Sequence, residues 1–191
     1  MPAPMRRLPR LLVLTFAVAC ALFVSACGHK QAIVTQGATE GTYIDVDQLK
    51  YQIQISRYLN ASDVEDRSYL KGLPASIPQP GPDETWFAVF IRVSNNTDKA
   101  IPTADDFQIV DTQNNVYRPV PLDPKSNEFV YQPTTLAPKG FVPTPNSVPA
   151  EGVINGSLLL FKVKTVSLQN RPLEFRFRGG SGATGVVDLD V

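Results

Sequence analysis

The amino-acid sequence predicts an all-β fold: an antiparallel β-sandwich of about seven or eight strands with one short helix. Three observations carry this. Apolar residues recur with period two in run after run, each run bounded by Asn, Asp, Gly or Pro. No strand-helix-strand alternation is visible, which sets aside a parallel sheet. One run, Thr85–Asn95 (TWFAVFIRVSN), is apolar on both of its faces at its start, as a central strand covered on two sides must be. An open sheet has nothing to cover such a strand, whereas two facing sheets bury one side of it.

Along the chain, residues 1–26 read as a lipoprotein signal peptide. Arg6, Arg7 and Arg10 precede an uncharged run of 14 residues, Leu11 to Val24, which is short of the ~20 apolar residues that span a bilayer. Val24-Ser25-Ala26-Cys27 then resembles the bacterial lipobox, an aliphatic residue and two small residues before a cysteine. In that family the peptide is cut before the cysteine and its sulfur is acylated, so the resemblance implies a lipid on Cys27. Residues 27–42 are small, polar and Gly-containing, and read as a flexible tether; residues 43–191 form the sandwich domain.

Within that domain, Leu49, Tyr51, Ile53, Ile55 and Leu59 alternate with Lys50, Gln52, Gln54 and Ser56, placing one face inside and one in water, after a short edge strand around Ile44 and Val46. Ser62-Asp63-Val64-Glu65 is a capping-box pattern that opens the helix, and Gly72 and Pro74 end it. Four prolines in residues 74–82 make a loop. The strand Thr85–Asn95 ends in an Asn95-Asn96-Thr97-Asp98 turn, and Phe107, Ile109, Asn114-Asn115, Val116 and Tyr117 spell a hairpin. Eight prolines punctuate residues 119–149. Ser157–Lys164, Pro172–Arg178 and Gly185–Val191 close the chain as strands.

Composition narrows the chemistry. The 18 basic and 18 acidic residues cancel, and removal of the signal leaves 15 against 18, so no basic field invites nucleic acid. One His, in the tether at position 29, and two Cys leave no Cys/His metal site and no Ser-His or Cys-His pair. Cys20 leaves with the signal, so no intramolecular disulfide is available and the domain must rest on its core. Gly180 to Gly185 fits G-x-G-x-x-G, yet a strand pattern follows where the dinucleotide motif needs a helix, so it reads as a turn. The pairs Asp45/Asp47, Asp105/Asp106 and Asp188/Asp190 read as solvent-facing positions; a carboxylate-based hydrolase would have to be built from such residues. Arg176 and Arg178 belong to an outward strand face.

WFAVFIRVSNNTDKAI, FQIVDTQNNVYRPV, LAPKG and SLLLFKV together resemble the telokin-like, immunoglobulin-fold domain of unknown function found in bacterial lipoproteins, over about residues 49–178. The resemblance implies an immunoglobulin-like sandwich and carries no catalytic residues. The expectation is therefore a non-enzymatic, membrane-anchored extracytoplasmic lipoprotein without metal or cofactor, whose sandwich binds a protein or envelope component. The alternatives are a structural spacer or accessory domain of a membrane complex, and the hydrolase. Sandwich domains bind through end loops, and residues 119–156 carry Phe129, Tyr131 and Phe141, aromatics of the kind binding hot spots use. These three are the candidate partner-binding residues, against the reading that they pin the loop to its own domain.

Overall fold

The computed structural model describes residues 32–191; the signal peptide and Cys27 lie outside the described residues. The chain is mostly β, in the order β1 (Gln36–Gly37), β2 (Tyr43–Val46), β3 (Leu49–Leu59), α1 (Val64–Tyr69), β4 (Glu84–Ser94), β5 (Ile101–Pro102), β6 (Asp106–Val110), β7 (Val116–Tyr117), β8 (Thr135–Leu136), β9 (Phe141–Val142), α2 (Val148–Glu151), β10 (Ser157–Lys164), a 3₁₀ turn (Thr165–Gln169), β11 (Leu173–Arg178) and β12 (Thr184–Leu189). Strands of four residues or more number seven, as the periodicity predicts; the other five are two-residue pairings. The second helix, within the proline-rich stretch, was not expected.

One sheet has the order β1-β12-β11-β6-β7 and the other β10-β4-β3-β2, with β9 beside the end of β4. Their inner faces share one core. Tyr51, Ile53, Phe87, Val89 and Ile91 from the second sheet meet Phe107, Ile109, Phe175, Phe177 and Val187 from the first. The register predicted for β4 holds: Phe87, Val89 and Ile91 are fully buried and face this core. The other face of β4 and β10 carries Trp86, Ala88, Phe90, Leu158 and Leu160, which α1 and the loops after it cover through Tyr69, Leu122 and Phe129. Both faces of β4 are thus dry from Trp86 to Ile91, which accounts for its doubly apolar sequence there.

Three expectations are corrected. The alternation in β3 does not run through to Leu59 on one face. Gln54 has no partner between the pairs Ile53↔Ile91 and Ile55↔Phe90, so a bulge turns Ile55 outward and Ser56 inward. The N-cap of α1 is Asp63, not Ser62, its carboxylate accepting the N–H groups of Glu65 and Asp66.

The third correction concerns the tether. Its later part is sheet: Gln36 and Gly37 pair in parallel with Val186 and Val187, and the Asp45 N–H donates to the Val34 carbonyl. Thr39 and the Glu40 N–H donate to the Asp190 carboxylate, and the Glu40 carboxylate accepts the N–H and hydroxyl of Ser56. Composition suggested freedom, but these residues close the open side between the two sheets and satisfy strand edges that would otherwise be bare. The folded body begins about ten residues earlier than the composition suggests, at Ile33.

Candidate functional site

The three aromatics of the 119–156 loop do not act alike. Phe129 is half-buried and packs edge-on against Tyr69, with ring centroids 4.9 Å apart. Tyr131 is 5% exposed, lies edge-on to Phe107 at 5.1 Å and donates its hydroxyl to the Ala104 carbonyl at 2.8 Å. The N–H of the same Ala104 donates to the Tyr51 oxygen, also at 2.8 Å. Two phenols therefore hold both backbone polar groups of one buried residue. Burial pushes the Tyr51 hydroxyl up to about 12, against the lowering effect of the Ala104 N–H, and burial likewise raises that of Tyr131.

The loop backbone is tied down as well. Val120 donates to Leu160, Leu158 to Phe129 and Tyr131 to Leu158, so this segment occupies the free edge of β10. The Asn127 amide donates to the carbonyls of Tyr69 and Lys71. Phe129 and Tyr131 are consequently not open to a partner, which corrects their assignment to a binding surface. Phe129 helps seal the second apolar face, whereas Tyr131 is part of the core between the sheets. Phe141 differs: it is 42% exposed, on β9 beside Ser94.

Phe141 forms one rim of a shallow depression on the outer face of the second sheet. Tyr43, 54% exposed on β2, forms the opposite rim. Between them run two cross-strand rows, Phe141–Ser94–Lys50–Asp45 and Arg92–Gln52–Tyr43, so every one of these side chains is on the same face. Lys50 is bound to Asp45 at 2.7 Å, and Gln52 donates to the Gly41 carbonyl while accepting from Gln54. Burial tends to raise the Asp45 carboxyl, but Lys50 and the Val34 N–H outweigh it and hold the group below its ordinary value. The floor is polar, rigid and built on paired strands. Sequence reasoning named Phe141 but missed Tyr43 and Arg92, because residues about a hundred positions apart meet only through the pairing of β2, β3, β4 and β9.

The other motifs resolve more simply. Gly179 to Ala183 form the turn between β11 and β12, closed by a hydrogen bond from Gly182 to Gly179, with Gly182 at φ +89°. The carboxylates do not gather: Asp47 accepts from Ser181, Asp190 from Thr39, and Asp106 pairs with Arg118. Among the described residues no three His, Cys, Asp or Glu side chains are grouped as metal ligands. Arg176 is on the outer face of the first sheet, paired with Glu174 at 2.5 Å.

Two buried acids, Asp66 on α1 and Asp111, escaped the sequence reading. Asp111, 3% exposed, follows β6 and accepts hydrogen bonds from the N–H groups of Gln113 and Asn115 and from the Asn115 and Asn170 amides. Burial alone would raise its carboxyl, yet this set of donors brings it well below the usual range. Its partners are all structural, so it fixes the β6–β7 turn to the segment before β11. The Asp-x-x-Asn-Asn sequence of the turn was the available signal.

No family model matches the chain, and no curated protein matches it. Among solved structures it is similar to the yjhA protein from Bacillus subtilis, with a TM-score of 0.50 and 9% identity over 80% of this chain and 99% of that one. At that identity the likeness concerns the fold alone.

Proposed function

We propose that the protein is an extracytoplasmic lipoprotein, held on the bacterial cell membrane by a lipid on Cys27. Its immunoglobulin-like, telokin-like sandwich then acts as a non-enzymatic binding module for a protein or envelope component. The observation that carries this reading is Val24-Ser25-Ala26-Cys27 at the end of an arginine-led apolar run. Two structural features support it. The sandwich is built without a disulfide, on two apolar layers. One member of each acidic pair that a hydrolase would need, Asp47, Asp106 and Asp190, is engaged with a donor of its own.

The pinning of Val34 shortens the link to the anchor. Six residues lie between Cys27 and Val34, a reach of at most ~25 Å at ~3.5 Å per residue step, instead of the ~50 Å of a tether ending at residue 42. The domain then works close to the membrane surface. Metabolic labelling with a clickable fatty acid tests the anchor: label enters the wild-type protein and is lost in Cys27→Ala. Equal label in both rejects the lipoprotein reading.

A further inference from the structure

The depression between Tyr43 and Phe141 has a composition that selects its ligand, and we propose that it binds an anionic saccharide. This rests on the reading of the domain as a binding module and specifies its ligand. Aromatic rings carry negative faces, and the C–H bonds on one side of a sugar ring carry partial positive charge, so exposed rings on both rims offer stacking surfaces. The span from β2 to β9 is three strand spacings, on the order of 14 Å, which suits a short oligosaccharide and not an isolated ion. Between the rims the floor presents Arg92, Lys50, Gln52 and Ser94, groups that hydrogen-bond hydroxyls and carboxylates.

Charge fixes the class further. Asp45, which ends one of the two rows, is outside the lining of the depression, so no carboxylate lines it. The Lys50 charge is already met by Asp45, whereas Arg92, half-buried beside Gln52, takes part in no ion pair among the described residues. A planar guanidinium held on a rigid strand is suited to a carboxylate, which it engages with two parallel hydrogen bonds. A strand-like peptide pairing beside Arg92 is disfavoured, because β4 already has β3 on one side and β9 and β10 on the other, so β4 offers no free edge. A bilayer surface is disfavoured as well, since Arg92 is recessed between the rims and a flat headgroup layer meets protruding groups first.

The test uses the full chain purified in detergent, titrated calorimetrically with short oligomers of glucuronate, galacturonate and mannuronate and with their methyl esters. At least one acid form should bind. Esterification, or Arg92→Gln, should weaken it by ~10-fold or more, and Tyr43→Ala by ~3- to 10-fold, with the thermal midpoint of both variants kept. Arg176→Gln, on the other sheet, should bind as wild type. Failure of every acid oligomer to bind, equal affinity for acid and ester, or indifference to both Arg92→Gln and Tyr43→Ala overturns the proposal. So does Arg92-dependent binding to phosphatidylglycerol vesicles with no saccharide binding, which assigns the face to lipid. Fatty-acid labelling of Cys27 is independent of every one of these outcomes, so the anchor and the ligand are refuted separately.

Discussion

Tyr131→Phe isolates a single buried hydrogen bond and shows what the proline-rich loop does for the domain. The substitution removes one oxygen and keeps the ring on Phe107. What remains is the Ala104 carbonyl, in a residue with no exposure, without the hydroxyl that donates to it at 2.8 Å. A buried acceptor left unsatisfied costs ~1–3 kcal/mol, and with a urea dependence of ~2 kcal/mol per molar the unfolding midpoint should fall by ~0.5–1.5 M. Tyr131→Ala also empties the ring's volume, and should cost ~3–5 kcal/mol. The sole tryptophan, Trp86, is 2% exposed and reports unfolding by fluorescence without a label. Tyr51→Phe removes the partner of the same residue's N–H, so the double variant should depart from additivity by more than ~0.5 kcal/mol. An unchanged midpoint in Tyr131→Phe, or strict additivity with Tyr51→Phe, refutes the idea that the loop is clamped through Ala104.

Asp111, whose folded pKa lies below its unfolded value of about 3.8, contributes stability that is complete above that value and is lost as pH falls; Asp111→Asn should therefore flatten the acid limb of a pH–stability profile. Gly185 faces Phe177 across the sheet so closely that a Cβ would enter the ring, and Gly185→Val should lower stability by ~2 kcal/mol or more in thermal denaturation. The two-residue turn between β2 and β3 has both Asp47 and Gln48 at positive φ, so Gln48→Gly should relieve strain and raise stability by ~0.5–1 kcal/mol, read as a higher thermal midpoint.

What was legible in the sequence follows from how local each signal is. The strands β4, β6, β10, β11 and β12 announce themselves because alternation over five or more residues needs no knowledge of partners. The β6–β7 hairpin is local too, and Asn114 at φ +61° occupies the turn position its side chain tolerates. Gln54 carries no mark of a bulge, since Ile55 fits a core face as well as an outer one until the register with Phe90 is known. β1 is two residues long and its partner is about 150 positions away, so composition could only report a polar segment. The depression between Tyr43 and Phe141 is distant in the same sense, assembled by four strands and announced by none.

The loop of residues 119–156 had a legible signal that points the other way from its aromatic content. Trp86, Ala88 and Phe90 form a second apolar face on β4, and Leu158 and Leu160 extend it on β10. One partner sheet covers only one side of these strands. The remaining cover has to come from segments outside the sheets, and those long enough to supply it are residues 60–83 and 119–156. Exposed apolar surface of that extent is costly at ~25 cal/mol per Å², while proline restricts the unfolded loop and lowers the entropy cost of holding it in place. Phe129 is therefore better understood as a peg of a lid than as spare contact area, a role its packing on Tyr69 and the β10 edge bonds both express, while Tyr131 anchors the same segment in the core between the sheets. On this reasoning, replacing residues 125–147 by a short Gly/Ser bridge uncovers Phe90, Leu158 and Leu160 and also removes β8 and β9. The shortened chain should lose its cooperative unfolding transition; a folded product with a wild-type melt would show that the second apolar face needs no lid.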